Sequence, residues 1–314
     1  MKKILRVIFM LIFVGVIAAC GATSEGDDDN TSTSELGDAV EVKHQLGTTV
    51  VTKNPQTIAV FDFASLDILD YFNVEVAALP QGNVPSYLSQ YEDDQYQNAG
   101  TLFEPDFELL ANLNPDLIII SGRTQEAYSD LEDLAPTIYL GIDTENYLDS
   151  FKENVSILAE IFGKEELATE AINQIEADIA EVVELVPDDK TGLIILTNDG
   201  SLSAYGRGSR FGLIHDELNV TPVTTDIESA THGQNISFEF VTKANPDYLF
   251  VMDRNAVTGG DFTAATTLDN ELMNQTTAVE NDQVTYLTPD YWYLSSGGIE
   301  SVTQMIAEIK ATFE

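Results

Sequence analysis

Phe107-Glu108-Leu-Leu-Ala-Asn-Leu-Asn114-Pro115-Asp116-Leu-Ile-Ile-Ile-Ser-Gly-Arg123 returns 131 residues later as Phe238-Glu239-Phe-Val-Thr-Lys-Ala-Asn245-Pro246-Asp247-Tyr-Leu-Phe-Val-Met-Asp-Arg254. Phe, Glu, Asn, Pro, Asp and Arg recur in register, without a gap. In each copy Phe-Glu opens a short helix. Asn-Pro stops it, because a residue before proline is driven out of the α region, and the apolar run that follows reads as a buried strand. The arginine is delivered where that strand ends, and in open α/β sheets ligands sit at the carboxyl ends of strands. Two copies predict two similar lobes, each offering one arginine to a shared cleft.

Around the first copy, apolar runs Thr57–Phe63, Val74–Leu79 and Thr137–Leu140 alternate with helical patterns. That alternation predicts an α/β lobe over residues 41–163 with a mainly parallel sheet covered on both faces. The second lobe is expected over 188–314. It opens with strand Gly192–Asn198, turns at Asp199-Gly200 into Leu202–Tyr205, and continues through the second copy to strand Val284–Leu287 and a final helix over 299–312. An amphipathic helix over 146–162 stops at Gly163. Between the lobes, Ala168, Ile172, Ile175, Ile179, Val182 and Val186 mark one stripe of a helix over 164–187, about 34 Å long. It is either a rigid connector spanning both lobes or a crossover helix packed on one sheet.

Residues 1–19 have the pattern of a secretory signal, with Lys2, Lys3 and Arg6 ahead of the apolar run Val7–Ala19. The run ends in Ile17-Ala-Ala-Cys20, which resembles the lipobox of bacterial lipoproteins, whose Cys is lipidated; Cys20 is the chain's only cysteine. Residues 20–40 are rich in Ser, Thr, Gly and Asp, as a flexible tether would be. Loss of the three leader cations takes the formal charge from -39 to -42. Such a surface lacks the basic footprint of a nucleic-acid binder. It also makes cations informative: beyond the leader the arginines are Arg123, Arg207, Arg210 and Arg254, a placement that predicts one shared role.

Arg207 and Arg210 lie in Gly206-Arg-Gly-Ser-Arg-Phe-Gly212, which fits neither a dinucleotide fingerprint nor a phosphate loop. An anion-binding loop and a plain surface turn both remain open. Of the three histidines, His44 lies near the tether and His215 in an amphipathic segment, where surface or packing roles suffice. His232, in Thr-His-Gly, sits in a loop just before the second copy, open to a functional or a solvated role. In Pro289-Asp-Tyr-Trp-Tyr-Leu-Ser-Ser-Gly-Gly298, an extended backbone would put Tyr291 and Tyr293 on one face, to pack a lobe or to meet a ligand.

The lipobox, the doubled Glu…Asn-Pro-Asp motif, the central long helix, Gly-Arg-Gly-Ser-Arg-Phe-Gly, Thr-His-Gly and Asp-Tyr-Trp-Tyr-Leu together resemble the substrate-binding lipoproteins of ferric siderophore ABC transporters. The resemblance is to the group that takes ferric bis-catecholate or petrobactin-type ligands, and covers residues 41–314. It implies the class III binding-protein fold, two Rossmann-like lobes joined by one long helix. By motif it implies a basic triad of Arg123, Arg210 and Arg254, iron ligation by His232 and Tyr293, and docking on the permease through Glu108 and Glu239. Arg207 and Tyr291 are the neighbours most easily confused with these. The expectation is a lipid-anchored, extracytoplasmic monomer of a Gram-positive cell, with no enzymatic activity and no intrinsic cofactor, whose ligand is an Fe(III)-siderophore complex. Haem is the alternative ligand, since Tyr and His also bind haem iron. An exported α/β hydrolase fits less well, because no Gly-x-Ser-x-Gly elbow is present.

Overall fold

The computed structural model describes residues 38–314, apart from 229 and 231. The expected signal segment, Cys20 and the tether up to residue 37 lie outside the described residues. Strand β1 (Ala39–His44) begins inside the stretch expected as tether, burying Val40 and Val42 and pairing antiparallel with β2 (Gly47–Thr52).

The first sheet has the order β5-β4-β3-β6-β7, all parallel, from β3 (Ile58–Phe61), β4 (Ala78–Leu79), β5 (Gln97–Asn98), β6 (Leu117–Ile120) and β7 (Thr137–Tyr139). Every residue of β3 and β6 is buried, as apolar strands flanked on both faces must be. The second sheet contains β8 (Thr191–Asn198), β9 (Ser201–Tyr205), β10 (Thr221–Pro222), β11 (Gln234–Ile236), β12 (Tyr248–Asp253) and β13 (Val284–Leu287). It is mixed rather than parallel throughout. Strands β8, β10, β12 and β13 pair parallel, whereas β9 runs antiparallel between β8 and β11. The Asp199-Gly200 turn causes this, since both residues take positive φ (46° and 80°), as a tight hairpin requires.

The two copies of the repeat fold alike. Helix Phe107–Leu113 is N-capped by Asp106 and helix Phe238–Ala244 by Ser237, each side chain accepting a main-chain N–H. Asn114 (φ 51°) and Asn245 (φ 50°) end them in the left-handed region, which Asn tolerates better than most residues. The aspartate after each proline then fastens the neighbouring strand. Asp116 accepts from the main-chain N–H groups of Gln56 (2.9 Å) and Thr57 (2.8 Å) ahead of β3, and Asp247 from that of Thr191 (2.9 Å) at the start of β8.

Helix Glu165–Leu185 packs against helices Tyr147–Phe162 and Ile299–Phe313, not on one sheet. At 21 residues it is about 32 Å long. The last helix, expected within the lobe 188–314, packs on β13 and also on helix Phe63–Tyr71 of the first lobe. Asp67 explains this return: its buried carboxylate accepts from the N–H groups of Glu300 and Ser301 (both 2.9 Å), capping a helix end that would otherwise leave donors unpaired. One apolar core accordingly runs from β3 and β6 through these helices to Ile194, Leu196 and Phe250 of the second sheet.

Candidate functional site

A cavity of about 1210 Å³ lies between the sheets, lined by His44, Asp62, Arg123 and Tyr139 on one side and Arg210, His232 and Tyr293 on the other. Arg123 follows β6, so its side chain leaves the carboxyl end of the first sheet. It donates to the main-chain oxygens of Tyr293 (2.6 Å) and Leu294 (3.3 Å). Arg210 donates to the same Tyr293 oxygen and lies 4.0 Å from the centre of its ring. Arg254, after β12, donates through Nε to the Tyr293 hydroxyl (3.0 Å) and through a terminal nitrogen to Asn198 Oδ1 (3.0 Å). The two repeat arginines and one loop arginine therefore meet on a single tyrosine.

Arg207 does not join them. It donates to the His215 carbonyl oxygen and to Asp216 (3.2 Å), while Gly208 N–H donates to the same carboxylate (2.7 Å). This corrects the expectation that all four arginines share one role. Arg207 fastens its loop, and the loop shape so fixed directs Arg210 inward.

Tyr293 is presented by a feature that departs from the expected extended backbone. Asp290–Leu294 forms one wide π-helical turn, in which successive residues are too far round the axis for i and i+2 to share a face. Tyr291 accordingly turns away and packs its ring on Tyr87, with centroids 5.0 Å apart. Trp292 is fully buried and donates its indole N–H to Glu308 (2.8 Å). The carbonyls of Tyr293 and Leu294 fall at the end of this turn, where helical carbonyls lack intrahelical donors, and they are free to accept the guanidinium groups.

The charge balance is lopsided. Among the described residues, the arginine within 4.0 Å of a carboxylate is Arg207; Arg123, Arg210 and Arg254 pair with carbonyl, amide and phenol oxygens instead. Burial, and then the charge of Arg123, pushes the Arg210 guanidinium down to about 10. Burial also lowers Arg123, partly offset by Asp62. Burial pushes the Tyr293 phenol up, yet the hydrogen bond from Arg254 and the charges of Arg210 and Arg254 outweigh it, and the net shift is down. The site therefore favours an anion in the cavity and a phenolate at its wall.

His232 is exposed and lines the same cavity. His215 is buried, with Nδ1 2.8 Å from the Val220 oxygen, and packs its lobe as expected. His44, for which a surface or packing role was expected to suffice, is carried by β1 to the cavity wall, where Nε2 meets Thr49 Oγ1 (3.1 Å). Asp62, Tyr139 and one face of helix Tyr147–Phe162, with Tyr147, Ser150 and Asn154, also line the cavity, although sequence reasoning did not single them out. The rise of Tyr147, Ser150 and Asn154 at helical spacing was the available signal. Glu108 and Glu239 stand exposed in the first turns of their helices, away from the cavity lining. No group of three or more His, Cys, Asp or Glu is placed to hold a metal ion among the described residues.

Known proteins share this fold. Residues 58–291 match the periplasmic binding protein family model. The chain is 44% identical over 319 residues to the petrobactin-binding protein YclQ of Bacillus subtilis (strain 168), covering 100% of both, and 34% identical to the ferric-anguibactin-binding protein FatB of Vibrio anguillarum, covering 95% and 96%. The crystal structure of YclQ superposes with a TM-score of 0.86 at 46% identity, over 88% of this chain and 99% of that one. The catecholate-siderophore binding protein VctP of Vibrio cholerae gives 0.83 at 31% identity, over 87% and 99%. Fold, matched segment and full-length identity lead to one conclusion: the chain belongs to the periplasmic binding protein family.

Proposed function

We propose that this protein captures a ferric catecholate-type siderophore, bis-catecholate or petrobactin-like, in the cleft and delivers it to an ABC permease for iron uptake. It is a binding protein and not an enzyme. The observation that carries the reading is the set of three arginines held clear of carboxylates around Tyr293, in a chain of net charge -39. A ferric bis-catecholate spreads its negative charge over several oxygens, which guanidinium forks match in fixed geometry. Arg123 and Arg210 line the cavity and meet those oxygens, whereas Arg254 works from behind, on the Tyr293 phenol. Two catecholates fill four of six positions on iron, and the Tyr293 phenolate and His232 imidazole supply the remaining two. The ferric charge then lowers the Tyr293 phenol further. Relatives named for petrobactin and anguibactin support this ligand class. Haem calls for a broad apolar slot, whereas the Arg123 and Arg210 side chains line this one.

Glu108 and Glu239, repeated on equivalent helices, dock the two lobes on the permease. Cys20 carries the lipid that holds the monomeric protein on the outer face of a Gram-positive cytoplasmic membrane. Titration with ferric bis-catecholate, ferric hydroxamate and haem tests the ligand: tight binding of the first alone supports the reading, and binding of haem alone overturns it. Incorporation of a palmitate analogue, lost in Cys20→Ala, tests the anchor.

A further inference from the structure

The turn that carries Tyr293 is gripped by side chains of the other lobe. Tyr87 stands in the first lobe with its hydroxyl 2.7 Å from Asp67 Oδ2 and 2.8 Å from Ser295 Oγ. Ser295 Oγ also lies 2.7 Å from the Asp290 carbonyl, so its proton is shared between that oxygen and the Tyr87 hydroxyl oxygen, and Ser301 Oγ donates to the Ser295 carbonyl (2.7 Å). Ser86 N–H donates to the Asp290 carboxylate (3.2 Å). Asp67, Ser295 and Ser301 are all at most 1% exposed, so this end of the turn is shielded from water, whereas the Ser86–Asp290 bond lies at the surface. Gly298, at the start of the last helix, approaches the same carboxylate: a Cβ there would come within 2.3 Å of Asp67. Both ends of the π-helical turn, at Asp290 and Ser295, are thus tied to Ser86, Tyr87 and Asp67, and Tyr293 lies between the ties.

We propose that Tyr87, seated on Asp67 and acting through Ser295, is a positioning residue that sets the Tyr293 phenol at its distance from the siderophore iron. This rests on Tyr293 being an iron ligand. None of the three residues lines the cavity, so none meets the ligand directly. Partners that orient a metal ligand typically matter 10- to 100-fold in metal affinity although they never touch the metal. Tyr87→Phe removes the hydroxyl and keeps the ring on Tyr291, and Ser295→Ala breaks the same bond from its other end.

The test uses the full chain in detergent, titrated with the ferric complexes of a tetradentate bis-catecholate and a hexadentate tris-catecholate, with the visible charge-transfer band recorded. A hexadentate ligand leaves no iron position for Tyr293. The expected result is a loss of about 10-fold for the tetradentate complex in Tyr87→Phe, a shifted band, and less than about twofold change for the hexadentate complex. Ser295→Ala gives the same pattern, and the double variant loses no more than either single one. Should Tyr87→Phe fail to fold, Ser295→Ala carries the same prediction. Equal losses on both complexes, or no loss with an unmoved band, would overturn the positioning role. Tyr293→Phe separates the two ideas. If it discriminates between the complexes while Tyr87→Phe and Ser295→Ala do not, the positioning inference fails alone. If it does not discriminate, iron ligation by Tyr293 fails, and the positioning role with it.

Discussion

The two copies of the repeat share their skeleton and differ in what their arginines do. Cap, helix, left-handed Asn, Pro, strand-fastening Asp and terminal Arg coincide from Asp106 to Arg123 and from Ser237 to Arg254. Yet Arg123 reaches across to main-chain oxygens of Tyr293 and Leu294 in the turn beyond β13, while Arg254 holds the Tyr293 phenol beside its own strand and does not line the cavity. Duplication therefore delivers a cation to each strand end, and the turn at Asp290–Leu294, the one π-helical turn among the described residues, decides what each cation meets.

The largest effects should fall on the arginines, and unequally. Arg210→Ala removes a half-buried fork lining the cavity; at about 1.5 to 3 kcal/mol per charge-assisted hydrogen bond, two lost bonds predict roughly a 1000-fold weaker ferric bis-catecholate complex. Arg123→Ala should approach that loss. Arg254→Ala acts only through Tyr293, predicting about 10-fold, with a Tyr293 phenol that titrates at higher pH because its strongest lowering partner is gone. Isothermal titration gives the affinities and ultraviolet difference titration the phenol. Equal losses from Arg123 and Arg254 would break the comparison.

A second asymmetry concerns pH. His215, in the second lobe, is pushed down to about 4, first by burial. The unfolded chain takes up this proton near pH 6.5, but the folded one does so only near 4. Its contribution to stability is therefore complete above 6.5 and lost as pH falls from there to 4, by up to about 3 kcal/mol. Denaturant melts at pH 7, 5.5 and 4.5 should show a smaller acid loss in His215→Leu than in the natural chain.

The shared skeleton should respond symmetrically. Asp116→Asn and Asp247→Asn each weaken the fastening of a neighbouring strand, at about 1 to 2 kcal/mol of unfolding free energy with little change in affinity. Smallest in binding terms are Glu108→Lys and Glu239→Lys. A lysine in a helical first turn costs about 0.3 to 1 kcal/mol of stability, affinity should hold, and iron uptake should fall. A matching loss of affinity would remove their docking role.

What could be read from the residues follows from where the physics is local. The repeat, its caps and its strand-end arginines are written in side chains a few positions apart, so lobes and cleft were legible. The Tyr293 cluster was legible only in part, because Arg123 and Arg210 seek main-chain oxygens, which leave no trace in residue type. Tyr291 and Tyr293 could not be told apart by alternation, since the π-helical turn follows neither strand nor α-helix period. The contact of the last helix with the first lobe was not legible, because Asp67, which caps it, lies 233 residues before Glu300. His44 reaches the cavity through the β1–β2 hairpin, whose pairing partners are set by main-chain bonds that residue type does not reveal.

The most direct measurement is a titration of the natural chain and Tyr293→Phe with ferric bis-catecholate, following Trp292 emission and the charge-transfer band together. Trp292, the only tryptophan, adjoins Tyr293 in the same turn. The account predicts saturable quenching in the natural chain, with weaker binding and a displaced band in the variant. Equal affinity and an identical band in both proteins would contradict it.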